Sequence, residues 1–220
     1  MPPLCYYSHV PNKRFRLKLK GRTVVFIDWA NVYGWNKHRQ KPVDPRKLYI
    51  YLKSYKEIDD ICFYYGLDKH PKSRQFLKKV KQIGFSVITK DVKYIPVNLD
   101  SSHFRRLAKE VKDSLASIKN LDPKDIEKIL QILNRKILRR KCDFDIEISM
   151  DVHLLENNFE TLIFFSGDGD FAPMLEFLVS KHKQVIIVFG EGHLGREVAK
   201  LGKKVYLCNA KNIPAISDGA

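Results

Sequence analysis

The stretch Leu162-Ile163-Phe164-Phe165-Ser166-Gly167-Asp168-Gly169-Asp170-Phe171 decides the fold. Its opening is a short run of aromatic and branched apolar residues with no polar alternation, the pattern of a strand buried on both faces of a parallel sheet. Two glycines then allow a sharp turn, and Asp168 and Asp170 fall within it. Phe171, Met174, Leu175, Leu178 and Val179 recur at helical spacing, with Pro173 in the first turn, where a missing N–H removes no hydrogen bond. Strand, acidic turn and helix in that order put both carboxylates at the carboxyl end of a strand, where open α/β sheets keep their ligand sites.

Val24-Val25-Phe26-Ile27 repeats the grammar and ends in Asp28-Trp29-Ala30-Asn31. If the two strands are parallel and central, Asp28, Asp168 and Asp170 meet at one edge of the sheet. Carboxylates crowded in this way repel one another and call for a cation. The plainer reading makes each Asp an N-cap or turn residue.

Outward from these strands, apolar runs and helical stripes alternate. Asp44-Pro45 caps a helix to about Tyr55; strands follow at 58–65 and 85–89, separated by a helix over 72–83 that stops at Gly84 and whose outward face is almost all basic. Further strands are expected at 184–190 and 204–208, with a helix from His193 to Gly202 between them. The seven histidines form no spaced cluster; His193, after Gly192, reads as a surface-loop residue, with an approach to substrate as the alternative. Val92 to Ile95 extends the third strand or forms a small ribbon, and the alternating Lys13–Lys20 segment is expected to pair in part as an edge strand. Residues 98–142 break the alternation with two amphipathic stripes, Phe104 to Ile118 and Ile126 to Ile137, read as an inserted helical hairpin. The expected organisation is a basic lead-in (1–20), one α/β domain (21–209) carrying the insertion, and a loosely ordered tail (210–220). Tyr33 and Trp35 lie beside the acidic turn, either to stack on a base or simply to pack.

Composition narrows the function. Forty Lys and Arg against 25 Asp and Glu give a net charge of +15, which points to a polyanionic partner. The four cysteines are scattered without a Cys-x-x-Cys pair, which argues for a reducing cytoplasm and against a cysteine-held zinc. No apolar run approaches the roughly 20 residues of a membrane helix, and no secretory leader is evident. There is no Gly-x-Gly-x-x-Gly after a strand, no Walker-type Gly-Lys-Ser/Thr and no Gly-x-Ser-x-Gly elbow, so dinucleotide, nucleoside-triphosphate and serine-hydrolase chemistry are not expected.

Phe26-Ile27-Asp28-Trp29-Ala30-Asn31 resembles the opening motif of NYN domains, a strand followed by Asp-x-x-Asn. Ser166-Gly167-Asp168-Gly169-Asp170-Phe171 resembles the Ser-Gly-Asp-x-Asp-Phe motif of the LabA-like branch of that family, and Asp143-Phe144-Asp145-Ile146 before a helix containing Asp151 is similar to its Lys-Gly-x-Asp…Asp element. The likeness runs over roughly 22–209 apart from the insertion. The Gly of the middle element is absent from Lys141-Cys142-Asp143-Phe144, which leaves Asp143 and Asp145 as alternatives for its acidic ligand and Asp151 as either a second contributor or a structural residue.

The resemblance implies a three-layer α/β/α, PIN-like (Rossmann-like) fold with a mostly parallel sheet, and a metal-dependent ribonuclease. Carboxylate donors suit Mg²⁺ or Mn²⁺. Asp28 and Asp168 are then the principal ligands, with Asp145 and Asp170 completing the site, and hydrolysis of an RNA phosphodiester proceeds by metal-activated water. Asn31 and Ser166 are candidates for holding a phosphate oxygen or water, and Arg105, Arg106, Arg139 and Arg140 at the ends of the insertion for gripping the substrate. For the insertion, a lid or a dimerisation element, and so a homo-oligomer, is the alternative. RNA is the expected partner, with DNA the other polyanion that charge admits. Two other readings remain: a non-catalytic nucleic-acid-binding module, and a metal-dependent phosphatase for small substrates, which the excess positive charge disfavours.

Overall fold

The structure is a computed structural model and describes residues 15–38, 41–96, 102–118, five positions between 122 and 128, and 138–216. The second stripe of the expected hairpin lies largely outside the described residues. The chain divides into two compact units, one comprising residues up to Asp91 with those from Asp143 onward, the other Val92–Cys142.

In the larger unit, six parallel strands form one sheet. In chain order these are β1 (Thr23–Asp28), β2 (Ile58–Leu67), β3 (Ser86–Asp91), then β6 (Thr161–Phe165), β7 (Gln184–Phe189) and β8 (Tyr206–Asn209). Their order across the sheet is β3-β2-β1-β6-β7-β8. The chain therefore moves outward from β1 in one direction, returns to its other side at β6, and moves outward again. The switch point lies between β1 and β6, the position where doubly wound sheets open a ligand crevice. Register pairs Phe26 with Phe164 and Ile27 with Phe165, so the two acidic turns leave the sheet side by side.

Both faces of the central strands are covered, which explains their unbroken apolar sequence. On one face, Val25, Ile27, Phe63, Ile163 and Phe165 bury against α1 (Trp29–Trp35), α2 (Pro45–Lys53) and α3 (Pro71–Ile83) through Val32, Trp35, Leu48, Leu52 and Val80. On the other, Phe26 meets Tyr64, Tyr64 meets Phe144, and Phe164 meets Phe171 edge to face. Burying each such ring fully is worth about 1.5–3 kcal/mol. That face also carries α5 (Asp145–Leu155) and α6 (Ala172–Ser180), whose Ile148, Val152, Leu175 and Leu178 are buried. Between β7 and β8 runs α7 (Arg196–Lys200), which is shorter than the stretch expected from His193 to Gly202.

Two further expectations change. Residues 15–20 are irregular rather than an edge strand. Their backbone is held by side chains instead: Lys20 N–H donates to Thr161 Oγ1 and Gln184 Oε1, and Gln184 Nε2 donates to Lys18 O. The tail is not loose as far as residue 216, because Ile213 and Ile216 pack into the core. The Cys62 and Cys208 thiols are buried.

The smaller unit contains a two-stranded antiparallel ribbon, β4 (Lys93–Pro96) with β5 (Leu138–Lys141), and helix α4 (Ser102–Ala116). No helix among the described residues is long and apolar enough to cross a membrane.

Candidate active site

The site is built by two turns that cap their own helices. Asp28 ends β1 and serves as N-cap of α1, its Oδ1 accepting the N–H of Ala30 at 3.1 Å and of Asn31 at 3.3 Å. Asp168 follows β6 and caps the short 3₁₀ turn Gly169–Phe171, its Oδ1 accepting Asp170 N–H at 3.1 Å. An Asp in either position satisfies backbone donors that would otherwise be orphaned. In each case the second carboxylate oxygen is left for other work.

Ser166 and Asn31 lace the two turns together. The buried Ser166 Oγ donates to Asp28 Oδ2 at 3.4 Å and accepts Asp168 N–H at 3.3 Å. Asn31 Oδ1 accepts the indole N–H of Trp35 at 2.9 Å and Gly167 N–H at 3.4 Å. Two donors on one oxygen fix the amide's orientation, so Asn31 presents its Nδ2 as a donor. Trp35 is buried and belongs to this scaffold, while Tyr33 is exposed.

A third loop, between β7 and α7, closes against the acidic turn backbone to backbone. Gly195 N–H donates to Gly167 O at 2.6 Å. A Cβ on Gly167 would stand 1.8 Å from His193 O, and one on Gly195 would stand 2.6 Å from Gly169 N. The glycines are thus needed for close approach. His193, expected as a surface-loop residue, meets the site through its main-chain carbonyl, which residue type does not signal.

The acids sense one another. Burial lifts the Asp28 carboxyl from its ordinary 3.8 to about 6, the two capping N–H groups oppose this, and the charges of Asp145 and Asp168 add to the rise. Asp145, at the start of α5, is also raised, by burial first and then by Asp143, Asp168 and Asp170, with Lys90 pulling the other way. Asp28, Asp145, Asp168 and Asp170 therefore share one electrostatic neighbourhood. Asp151 is engaged differently, accepting the Tyr64 hydroxyl at 2.8 Å. Lys90 Nζ, near the end of β3, pairs with Glu147 at 2.7 Å and lies over the Phe144 ring. Neither contact was foreseen from the sequence.

The donor set is all oxygen and suits a hard divalent cation. As they stand, however, no three Asp, Glu, His or Cys side chains among the described residues are close enough to hold an ion together. Asp170 also lines a cleft of about 300 Å³ with Ser149, His153, Met174 and Phe177. The arginines expected to grip substrate belong to the smaller unit: Arg105 and Arg106 to α4, with Arg106 exposed and paired to Glu110, and Arg139 and Arg140 to β5.

Sequence comparison matches the chain to the NYN domain over residues 22–114 and 98–207. LabA, the "low amplitude and bright" protein of Synechococcus elongatus, is 24% identical over 179 residues, covering 80% of this chain and 78% of that protein. A crystal structure of a protein of unknown function from Vibrio parahaemolyticus shares the fold, with a TM-score of 0.56 at 17% identity, over 89% of this chain and 96% of that one.

Proposed function

The chain belongs to the NYN domain family, and from that premise we propose that it is a divalent-metal-dependent ribonuclease acting at the Asp28–Asp168 crevice. The observation that supports this most is the raising of Asp28 and Asp145 by burial and by the neighbouring acids, Asp168 beside both and Asp170 beside Asp145, at the switch point of the sheet, in a chain of net charge +15. Repulsion of this kind costs stability and is retained where a cation or reaction needs it. Mg²⁺ or Mn²⁺ is the cation the donors suit. Bound there, it would lower the pKa of water and neutralise charge building on the phosphoryl oxygens.

The chain's own residues do the rest. Asp28 and Asp168 hold the ion through the oxygens not used in capping, and Asp145 and Asp170 complete the set directly or through water. Asn31 Nδ2 donates to a phosphate oxygen. Ser166 couples the two principal carboxylates, so that a shift of one reorients the other. Arg105, Arg106, Arg139 and Arg140 supply cations for flanking phosphates. The test is cleavage of end-labelled RNA with Mn²⁺, with Mg²⁺ and with EDTA, by the wild type and by Asp28→Asn and Asp168→Asn. Metal-dependent cleavage that both variants lose supports the proposal, and cleavage that survives the variants and EDTA refutes it.

A second reading has one observation in its favour. Because no three acids among the described residues stand in ligand geometry, the chain would serve as a nucleic-acid-binding NYN module without catalysis. RNA retardation in gels with no cleavage under any metal distinguishes it.

A further inference from the structure

From Lys69 to Lys90 the sequence contains no Asp or Glu, yet it holds Lys69, Lys72, Arg74, Lys78, Lys79 and Lys81 in and just before α3. All six side chains are exposed. Some cations elsewhere are matched by acids, among them Arg22 by Asp59, Lys90 by Glu147, Arg106 by Glu110, Lys181 by Glu156 and Lys211 by Glu191, but among the described residues no other stretch of this length sets six exposed cations on and beside one helix with no acid among them. Among the described residues, none of the six α3 cations has such a partner. Like charges on one helix repel and lower its stability, so an unneutralised row marks a face whose counter-charge comes from outside.

The row is ordered. Arg74, Lys78 and Lys81 stand at i, i+4 and i+7, one stripe of the helix. Lys79 lies toward α2, where it and Arg46 line a groove of about 580 Å³ with Tyr49 and Phe76. The helix is anchored where it begins. Tyr65 OH hydrogen-bonds Ser73 Oγ at 2.8 Å, Asp68 N–H donates to the same oxygen at 3.0 Å, and His70 caps the first turn. Those residues continue β2 past Tyr64, the register partner of Asp28, so α3 starts at the sheet edge that holds the acid cluster. Its 13 residues carry the cations about 20 Å away from that edge.

We propose that α3 is a track for the sugar–phosphate backbone of single-stranded RNA, engaging phosphates on one side of the scissile bond while leaving the bases unread. This rests on the ribonuclease reading above. Lysines and arginines spaced along a rigid helix neutralise successive phosphates and release counterions, and without aromatic rings in the exposed row the contacts carry no sequence information.

The test is binding of a fluorescein-labelled oligouridylate of about 20 nucleotides, a length that spans several phosphate contacts, measured in EDTA so that no cleavage intervenes. Three proteins are compared: wild type, the triple variant Arg74→Gln, Lys78→Gln, Lys81→Gln, and a charge-matched control, Lys200→Gln, Lys203→Gln, Lys204→Gln, on exposed positions outside the row. Far-UV circular dichroism checks that α3 remains helical. The expected result is a fall of about 2 in the slope of log K against log salt for the α3 variant, roughly 0.7 for each phosphate no longer neutralised, with about tenfold or greater weakening. The control should keep the wild-type slope. Equal weakening in both variants shows a general charge effect and overturns the proposal. An unchanged slope in the α3 variant overturns it while leaving the ribonuclease reading intact, provided wild type still binds and cleaves. Failure of wild type to bind the oligomer overturns both. Binding by α3 to phosphatidylserine vesicles but not to the oligomer assigns the row to a membrane surface and also overturns it.

Discussion

Asp28→Asn is expected to make the metal-free protein more stable at neutral pH. The carboxyl is lifted from 3.8 to about 6 by burial and by Asp145 and Asp168. A rise of that size corresponds to about 3 kcal/mol of preference for the neutral form. Asp28 retains some solvent access, which screens its neighbours, so that figure is a ceiling. The sign follows from proton binding. Between pH of about 4 and about 6 the native state holds the proton that the unfolded chain has released, so stability falls as pH rises, and the full cost is present above about 6. Asn carries no charge and caps a helix about as well as Asp, losing only the carboxylate's attraction to the helix end, about 0.3–1 kcal/mol. The net gain should be about 2 kcal/mol at about pH 7.5 and near zero at about pH 4.5. Urea unfolding in EDTA at the two pH values, followed by far-UV circular dichroism, measures it. A variant less stable than wild type at pH of about 7.5, or a gain equal at both pH values, would refute the claim that Asp28 is held charged at the fold's expense.

Addition of Mn²⁺ in excess should raise the wild-type unfolding temperature, by the equivalent of about 2.7 kcal/mol at a hundredfold excess over Kd, and leave an Asp28→Asn, Asp168→Asn double variant unmoved in the same thermal scan. Gly167→Ala should cost about 1–3 kcal/mol in urea unfolding, because its methyl would stand 1.8 Å from His193 O and the loops must part; wild-type stability would show that the contact is soft. Tyr64→Phe removes the 2.8 Å bond to Asp151 and should cost about 1–3 kcal/mol, read from the urea midpoint. Phe164→Ala, in the fully buried centre of β6, should cost about 3–5 kcal/mol, and a much smaller loss in the same unfolding assay would mean the core collapses around the gap.

The fold was legible where chemistry is local. Strands buried on two faces exclude polar residues, so Val24–Ile27 and Leu162–Phe165 were visible as unbroken apolar runs, and the acids that follow them were placed by strand polarity alone. What escaped reading depends on partners distant in sequence. Nothing in the sequence of 15–20 says that Thr161 and Gln184 will take the backbone hydrogen bonds of Lys18 and Lys20 and leave that segment irregular. The shortness of α7 follows from the Gly190–Gly195 loop being drawn against Gly167, a contact between main chains that leaves no side-chain signature. Asp151 looked like a candidate ligand because its type and its helix fitted; its engagement by Tyr64 required knowing that β2 runs beneath α5. Helix α5 spreads its apolar residues around the axis, and Ile148 and Val152 are buried while Ile146, Met150 and Leu154 are exposed, a difference that periodicity does not reveal.

The joint between Gly167 and Gly195 has a consequence for how such a chain varies over time. Because a methyl on Gly167 would run into the His193 carbonyl and one on Gly195 into the main chain of Gly169, neither can acquire a side chain unless the facing loop is rebuilt in the same lineage. Members of the family that replace one of these glycines should therefore show a length change or a recast segment opposite it, so the two loops are inherited as a single part.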